Sequence, residues 1–98
     1  MDVVKQLKHA NSTGKLIFGQ KQTNAACVNG QAKLVFFAAN CPEEFINALA
    51  ATHSGVVMYR LNLVNRELGA ACGKPFSVSA VALSDVGRSE LLSLKSNI

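Results

Sequence analysis

The longest unbroken apolar run in the chain covers residues 34–39 and reads LVFFAA. A run without polar alternation, bounded by polar and turn residues, is typical of a strand that is buried on both faces in a sheet covered by helices. It is far shorter than the roughly 20 apolar residues that a membrane-spanning helix requires. We therefore predict a central strand over residues 33–39 and no membrane-spanning segment.

The rest of the chain alternates between helical and strand-like patterns. Apolar residues recur at helical spacing before Gly14, and a short β-rich run ends at Gly19. Pro42, followed by two acidic residues, is typical of a helix N-terminus. The predicted elements, in order, are a helix from residue 3 up to Gly14, a strand at 16–18, a helix at 22–28, the central strand, a helix from about 42 to Gly55, a strand at 56–61, a helix from Asn65 to Cys72, a strand at 77–83 and a helical turn at 89–94.

Regular alternation of helices and short strands predicts an α/β fold, a three-layer α/β/α sandwich with a mixed four-stranded sheet. The 98 residues are about what one compact domain needs, so we expect a single domain over residues 1–98. Ligands of such sheets usually lie in the loops at one end of the strands. The loops after the first strand, after the central strand and before the last strand are therefore the candidate binding site.

Basic residues exceed acidic ones, with ten Lys and Arg against six Asp and Glu, for a formal net charge of +4. Five lysines lie between Val3 and Pro42, and that segment has no Asp or Glu. Such a cationic half favours a phosphate-rich partner such as RNA. A solvated lysine face that serves solubility alone explains the charge equally well, so the charge by itself leaves both open.

Cysteine and histidine patterns do not indicate a metal site or disulfides. Three widely spaced cysteines lack the spacing of a disulfide framework or a paired-cysteine site, and His9 and His53 lie in different predicted helices. We predict no metal, no cofactor and no small-molecule substrate. An enzyme that uses Cys41 at a helix N-terminus, with a lowered thiol pKa, is a minor alternative. The first residues lack the basic cap and apolar stretch of a secretory signal, so we expect a cytoplasmic protein.

Three separated motifs carry a resemblance to a known family. They read TGKLIFGQKQ at residues 13–22, AKLVFFAANCP at 32–42 and ELGAACGKPF at 67–76. In this order and spacing the chain resembles large-subunit ribosomal protein thirty of archaea and eukaryotes, a branch of the kink-turn RNA-binding ribosomal protein superfamily. The resemblance runs over residues 4–94. It departs from the family at Ala25, where many relatives carry a lysine, and the third helix is about one turn shorter.

The resemblance implies a structural constituent of the large ribosomal subunit, cytoplasmic within the ribosome, with no catalytic residues. Its partners would be large-subunit ribosomal RNA at a kink-turn and neighbouring ribosomal proteins. Lys21 would face guanine O6 and N7, and Phe76 would stack on a nucleotide flipped out at the kink. The implied RNA-binding residues are Gly19, Gln20, Lys21, Gln22, Thr23, Lys33, Asn40, Gly73, Lys74, Pro75 and Phe76.

Several of these residues also have simpler explanations. Gly19 could only end a strand, Asn40 could only cap the helix that follows it, and Phe76 could be a core residue at the start of a strand. Glu67 belongs to a family motif, but its place in the first turn of a helix predicts a capping role. A kink-turn-binding adaptor in another ribonucleoprotein, for RNA modification or processing, is the alternative function.

Overall fold

A computed structural model describes all residues, 1–98. Its helices are α1 (Val3–Thr13), α2 (Gln20–Val28), α3 (Glu43–Thr52) and α4 (Asn65–Ala71), and its strands are β1 (Lys15–Phe18), β2 (Leu34–Phe37), β3 (Val57–Arg60) and β4 (Ala80–Asp85), followed by a 3₁₀ turn at Leu91–Ser93. The predicted order of elements is confirmed. None of the helices is long and apolar enough to span a membrane.

Several element boundaries differ from the prediction by one to three residues, and two of them, the starts of α2 and β4, differ for clear local reasons. Helix α2 begins two residues earlier than predicted, at Gln20, because Gly19 is its N-cap. Strand β4 begins at Ala80 rather than at residue 77. The preceding residues form a loop instead, in which the Val78 N–H donates to the Asn65 carbonyl at 3.0 Å. That hydrogen bond turns the chain towards α4 before it enters the sheet.

The four strands form one mixed sheet in the order β1-β4-β2-β3. Strand β4 is antiparallel to both β1 and β2, whereas β2 and β3 are parallel. Strand β2 therefore has a partner on each side, and all four of its residues are buried. The predicted mixed four-stranded sheet with this strand inside it is confirmed.

The sheet has a hydrophobic core on each face. Leu34 and Phe36 of β2 pack in a cluster with residues of α1 and α4, whereas Val35 and Phe37 pack in a second cluster with residues of α2 and α3. Phe36 and Phe37 are both fully buried, which stabilises the fold by about 1.5–3 kcal/mol for each side chain. Helices on both faces confirm the predicted three-layer sandwich.

Strand directions place the candidate loops at one end of the sheet. Because β1 and β2 both run antiparallel to β4, and β3 runs parallel to β2, the carboxyl ends of β1, β2 and β3 lie together with the amino end of β4. We call this the loop end. Phe18 and Phe36 both lie opposite Val81 in the register, so the segments that follow β1 and β2 and precede β4 are neighbours there.

The outer edge of β3 is covered by the C-terminal residues Ser96 and Asn97. The Met58 N–H donates to Ser96 Oγ at 2.9 Å, and the Met58 carbonyl accepts from the Asn97 N–H at 3.2 Å. The Asn97 side chain completes the edge: its Oδ1 accepts from the Arg60 N–H at 2.7 Å and its Nδ2 donates to the Arg60 carbonyl at 3.0 Å. The tail thus satisfies the backbone groups that an uncovered edge strand would offer to other chains.

We expect Asn97→Ala to destabilise the fold, because it removes both side-chain hydrogen bonds to Arg60. The loss should be about 1–3 kcal/mol in the free energy of unfolding, measured by urea denaturation. Asn62→Ala is the matched control, since Asn62 is an exposed asparagine for which the structure shows no side-chain hydrogen bond. Equal stability of the two variants would mean that the tail does not hold the edge of β3.

Candidate nucleic-acid interface

The first loop at the loop end is the tight turn at Gly19 between β1 and α2. Gly19 has φ of 99° and ψ of 155°, a backbone conformation that side chains disfavour. A Cβ atom at this position would meet nothing within 4 Å. The space above the turn is therefore open, and the conformation rather than crowding requires glycine. Gly19 both ends β1 and starts α2, so its simpler role as a strand terminator is compatible with a binding role.

The first turn of α2 carries Gln20, Lys21 and Gln22 at the loop end. Lys21 and Gln22 are exposed and Gln20 is half-buried. No side chain caps the N-terminus of α2, and the first N–H groups of a helix have no acceptor within the helix. This turn therefore presents an amide side chain, an ammonium group and backbone donors to solvent.

Thr23, in contrast, lies in the interior. Its side chain is 0% exposed and its N–H donates to the Gly19 carbonyl at 2.9 Å. Thr23 lies on the same face of α2 as Ala26 and Cys27, and this face packs on the sheet. The sequence-based assignment of Thr23 as an RNA-contacting residue is therefore not supported, because neither its hydroxyl nor its N–H is free at the surface.

Asn40 follows β2, and its side chain binds the start of α4. Asn40 Oδ1 accepts from the Asn65 N–H at 2.8 Å, and Asn40 Nδ2 donates to Asn65 Oδ1 at 3.1 Å. The N-cap of α3 is Pro42, so the alternative that Asn40 caps the helix following it is wrong. The amide is held in one orientation and retains one N–H and one oxygen lone pair for an external partner.

The loop from Gly73 to Ser77 is the third element of the site. Helix α4 ends where the N–H groups of Gly73 and Lys74 donate to the carbonyls of Ala70 and Gly69, at 3.0 and 2.9 Å. The Lys74 ammonium then lies 4.6 Å from the centre of the Phe18 ring at the end of β1. This cation–π contact fixes the third loop next to the first.

An open groove of about 380 Å³ lies beside this loop. Phe76 lies at its wall and is 56% exposed, so the alternative that Phe76 belongs to the core is wrong. The groove is lined by Arg66, Ala70, Lys74, Pro75, Phe76 and Ser77. Sequence reasoning missed Arg66, although its spacing of four residues from Ala70 places both on one face of α4.

Gly69 allows the loop to pack closely against α4. A Cβ atom at this position would lie 2.0 Å from the Phe76 carbonyl oxygen. Only a glycine on this face of the helix lets the backbone of Phe76 approach so closely. The position of Phe76 in the groove therefore depends on the absence of a side chain at Gly69.

Lys33 is the one candidate residue at the opposite end of the sheet. Its N–H donates to the Leu83 carbonyl at 2.9 Å, where β2 begins. Lys15 lies at the same opposite end, because its register partner is Asp85. The lysine-rich half of the sequence is therefore divided between two ends of the molecule, and the structure does not bring Lys33 to the loops.

Two of the three carboxylates near the loop end have partners within the protein, whereas Glu44 in the first turn of α3 is exposed and forms no ion pair. Glu43 forms an ion pair with Arg60. Glu67 Oε1 accepts from the Val64 N–H at 3.0 Å, which confirms its predicted capping role. Apart from the Arg60–Glu43 pair, the three cations Lys21, Lys74 and Arg66 outnumber the two carboxylates Glu44 and Glu67, so the loop end carries a net positive charge.

Comparison with known proteins identifies the family. The profile of the ribosomal protein L7Ae/L30e/S12e/Gadd45 family matches residues 1–93. The chain belongs to the L7Ae/L30e/S12e/Gadd45 family. It is 46% identical to large ribosomal subunit protein eL30 of Methanospirillum hungatei over 96% of this chain and 98% of that protein. The eL30 proteins of Methanoregula boonei and Methanocaldococcus jannaschii are 40% and 38% identical over 97% and 96% of this chain, and over 97% and 87% of their own lengths.

These relatives confirm the family that the three sequence motifs indicated. The match extends over nearly the whole chain, and it includes all the elements that form the loop end. As a member of this family of ribosomal proteins, the chain is a structural protein and not an enzyme. The loops at Gly19, Asn40 and Phe76 are therefore candidates for binding rather than for catalysis.

The environment of Cys41 also argues against the enzyme alternative. Cys41 is 4% exposed, and burial raises the pKa of its thiol above 9.0, opposed in part by Arg60 and reinforced by Glu43. Burial likewise raises the pKa of the Cys27 and Cys72 thiols. A nucleophilic cysteine needs a lowered pKa and access to substrate. All three cysteines are buried free thiols.

We expect Gly69→Ala to destabilise the protein, although alanine has a higher helix propensity than glycine. The gain in helix propensity of up to about 1 kcal/mol is outweighed by the clash with Phe76, so the free energy of unfolding should fall by about 1–2 kcal/mol net. Urea denaturation measures the change. Gly55→Ala is the control, because a Cβ there would meet nothing within 4 Å. A Gly69→Ala protein as stable as the wild type would show that the loop does not depend on close packing against α4.

The raised pKa values of the thiols predict a loss of stability at alkaline pH. Because the folded state keeps the thiols protonated while the unfolded state ionises near 9.0, stability should be unaffected by the thiols below that pH and fall as the pH rises above it. Urea denaturation between about pH 7 and pH 10 measures this slope. A variant with all three cysteines replaced by alanine should show a shallower fall above pH 9, and identical slopes would contradict the assignment.

Proposed function

We propose that the chain is a structural constituent of the large ribosomal subunit that binds ribosomal RNA at a kink-turn-like element through the loop end. The observation that carries this proposal is the convergence of the Gly19, Asn40 and Phe76 loops in a member of the L7Ae/L30e/S12e/Gadd45 family. The similar eL30 proteins are named as large-subunit proteins. These names favour the ribosome over an adaptor role in another ribonucleoprotein.

In this proposal the first loop reads the purine edges exposed at the kink. The turn at Gly19 has open space above it, which lets RNA approach the backbone closely. The exposed ammonium of Lys21 then donates to guanine O6 and N7, and Gln20 and Gln22 supply amide groups beside it. The uncapped N-terminus of α2 faces a phosphate, which its N–H groups and dipole attract.

The second loop adds a directed polar contact. Asn65 holds the side chain of Asn40 in one orientation, so the remaining N–H and lone pair of Asn40 face a base or sugar without first losing conformational freedom. Preorganisation of this kind improves affinity because less entropy is lost on binding.

The third loop holds the nucleotide that the kink displaces. Phe76 is exposed in the groove and offers a ring on which the base stacks, a contact worth about 1–3 kcal/mol. Pro75 makes the loop rigid, and Lys74 keeps it against β1 through the Phe18 ring. RNA-binding proteins commonly select unstacked bases in this manner.

The proposed role also implies where the protein acts and which other molecules it contacts. The 98 residues act as one domain in the cytoplasm, as part of the ribosome, and the surfaces away from the loop end are available to neighbouring ribosomal proteins. Lysines at the opposite end, Lys15 and Lys33, contribute only long-range attraction to RNA.

A binding experiment with paired lysine variants tests the proposal. The wild-type protein is titrated with a short kink-turn RNA and with a control RNA whose sheared guanine–adenine pairs are restored to Watson–Crick pairs, at two salt concentrations. We expect tight, salt-sensitive binding to the kink-turn and much weaker binding to the control. Lys21→Ala should reduce kink-turn affinity by roughly 10- to 100-fold, whereas Lys15→Ala, which removes the same charge at the opposite end, should have a small effect.

Two results would overturn the proposal. Equal binding of the two RNAs by the wild-type protein would show that the loops do not select the kink. Equal losses for Lys21→Ala and Lys15→Ala would show that the protein attracts RNA through its net charge alone.

A further inference from the structure

Arg66 lies on the wall of the groove beside Phe76 and has no ion-pair partner. We propose that Arg66 binds the phosphate of the nucleotide whose base stacks on Phe76, and that it thereby adds a charged contact to RNA recognition. This inference rests on the function proposed above and identifies a residue that the sequence motifs did not single out.

The position of Arg66 is unfavourable for a residue that serves the free protein alone. Arg66 lies in the first turn of α4, where the positive end of the helix dipole repels a cation. No carboxylate forms an ion pair with Arg66, because the structure contains a single ion pair, which joins Arg60 and Glu43. The adjacent Glu67 accepts a hydrogen bond from the Val64 N–H instead.

The groove itself is complementary to an anionic ligand. Its lining has two cations, Arg66 and Lys74, an exposed aromatic ring and no acidic side chain. Every nucleotide carries a phosphate charge, so a base that stacks on Phe76 brings a phosphate into this groove or to its rim. The guanidinium of Arg66 offers a planar set of donors that fits two phosphate oxygens.

Arg66 is better placed for this phosphate than Lys74. The residue Lys74 is half-buried, and its ammonium lies over the Phe18 ring at 4.6 Å from the ring centre. Moving it to a phosphate would break the contact that holds the loop to β1. The exposed Arg66 side chain can turn to a phosphate without breaking any hydrogen bond or ion pair of the protein.

The inference is tested with two arginine variants of equal charge. Arg66→Ala is compared with Arg88→Ala, which removes an exposed arginine from the turn after β4, at the opposite end of the sheet. Kink-turn RNA binding is titrated at several salt concentrations. We expect Arg66→Ala to weaken binding by roughly 5- to 20-fold at low salt and to lower the slope of log K against log salt by roughly 0.7–0.9, the value for one phosphate contact. Arg88→Ala should change affinity by less than about 2-fold, as generic charge does at a distance.

A conservative variant separates a phosphate contact from a base contact. Arg66→Lys keeps the charge and should recover most of the affinity, because a lysine also binds phosphate as a point charge. If Arg66 instead contacts a base edge, Arg66→Lys would lose the bidentate hydrogen bond, and the RNA affinity would depend on which base occupies the groove. Failure of Arg66→Lys to recover affinity, together with such a base dependence, would overturn the phosphate assignment.

The outcomes distinguish this inference from the proposed function. If the wild-type protein selects the kink-turn RNA but Arg66→Ala and Arg88→Ala bind it equally well, Arg66 has no specific role and the proposed function stands. If the wild-type protein does not select the kink-turn RNA, the proposed function fails and the inference fails with it.

Discussion

Burial of strand β2 between two layers of helices is the constraint on which the positions of all the candidate site residues depend. Its side chains alternate between the two hydrophobic clusters, and its backbone pairs with β4 on one side and β3 on the other. This pairing fixes the directions of the neighbouring strands, and the directions decide which loops meet. Asn40 lies three residues after the end of β2, the pairing of β1 with β4 positions the Gly19 turn, and the loop from Gly73 to Ser77 leads into β4 at the same end. A polar substitution in β2 would therefore disturb the site as well as the core.

Helix α4 connects the sheet to the third loop, and three of its residues have different roles at the loop end. Asn65 orients Asn40, Gly69 allows the backbone of Phe76 to lie close to the helix, and Arg66 lines the groove. A helix of seven residues has little stability by itself. Its position depends on the burial of Leu68 in the core and on its hydrogen bonds to the flanking loops. The groove is consequently formed before any ligand binds, which limits the entropy that binding must overcome.

The loop end combines shape and charge in a way that suits a folded RNA better than a small molecule. Its groove is open, the exposed ring of Phe76 has no apolar enclosure, and the cations Lys21, Arg66 and Lys74 come from separate elements. A small-molecule site is normally an enclosed, mostly apolar cavity. The thiols are buried and their pKa values are raised, which agrees with a protein that binds a partner and does not catalyse a reaction. Membership in the L7Ae/L30e/S12e/Gadd45 family agrees with this arrangement.

The sequence by itself determined the layers, the order of elements and the family, because these depend on local periodicity, turn residues and motifs that lie close together in the chain. The unbroken apolar run predicted β2, and Gly19 marked the end of β1. Only the tertiary structure decided which candidates share a surface. Lys33 lies next to β2 in sequence but at the far end of the sheet, Thr23 turns inward on α2, and Arg66 joins Phe76 across a groove. Strand order and the packing of the helices on the sheet set these relations through contacts between residues far apart in sequence. The helical spacing of Thr23 with Ala26, or of Arg66 with Ala70, shows only which residues share one face of a helix and not what that face meets.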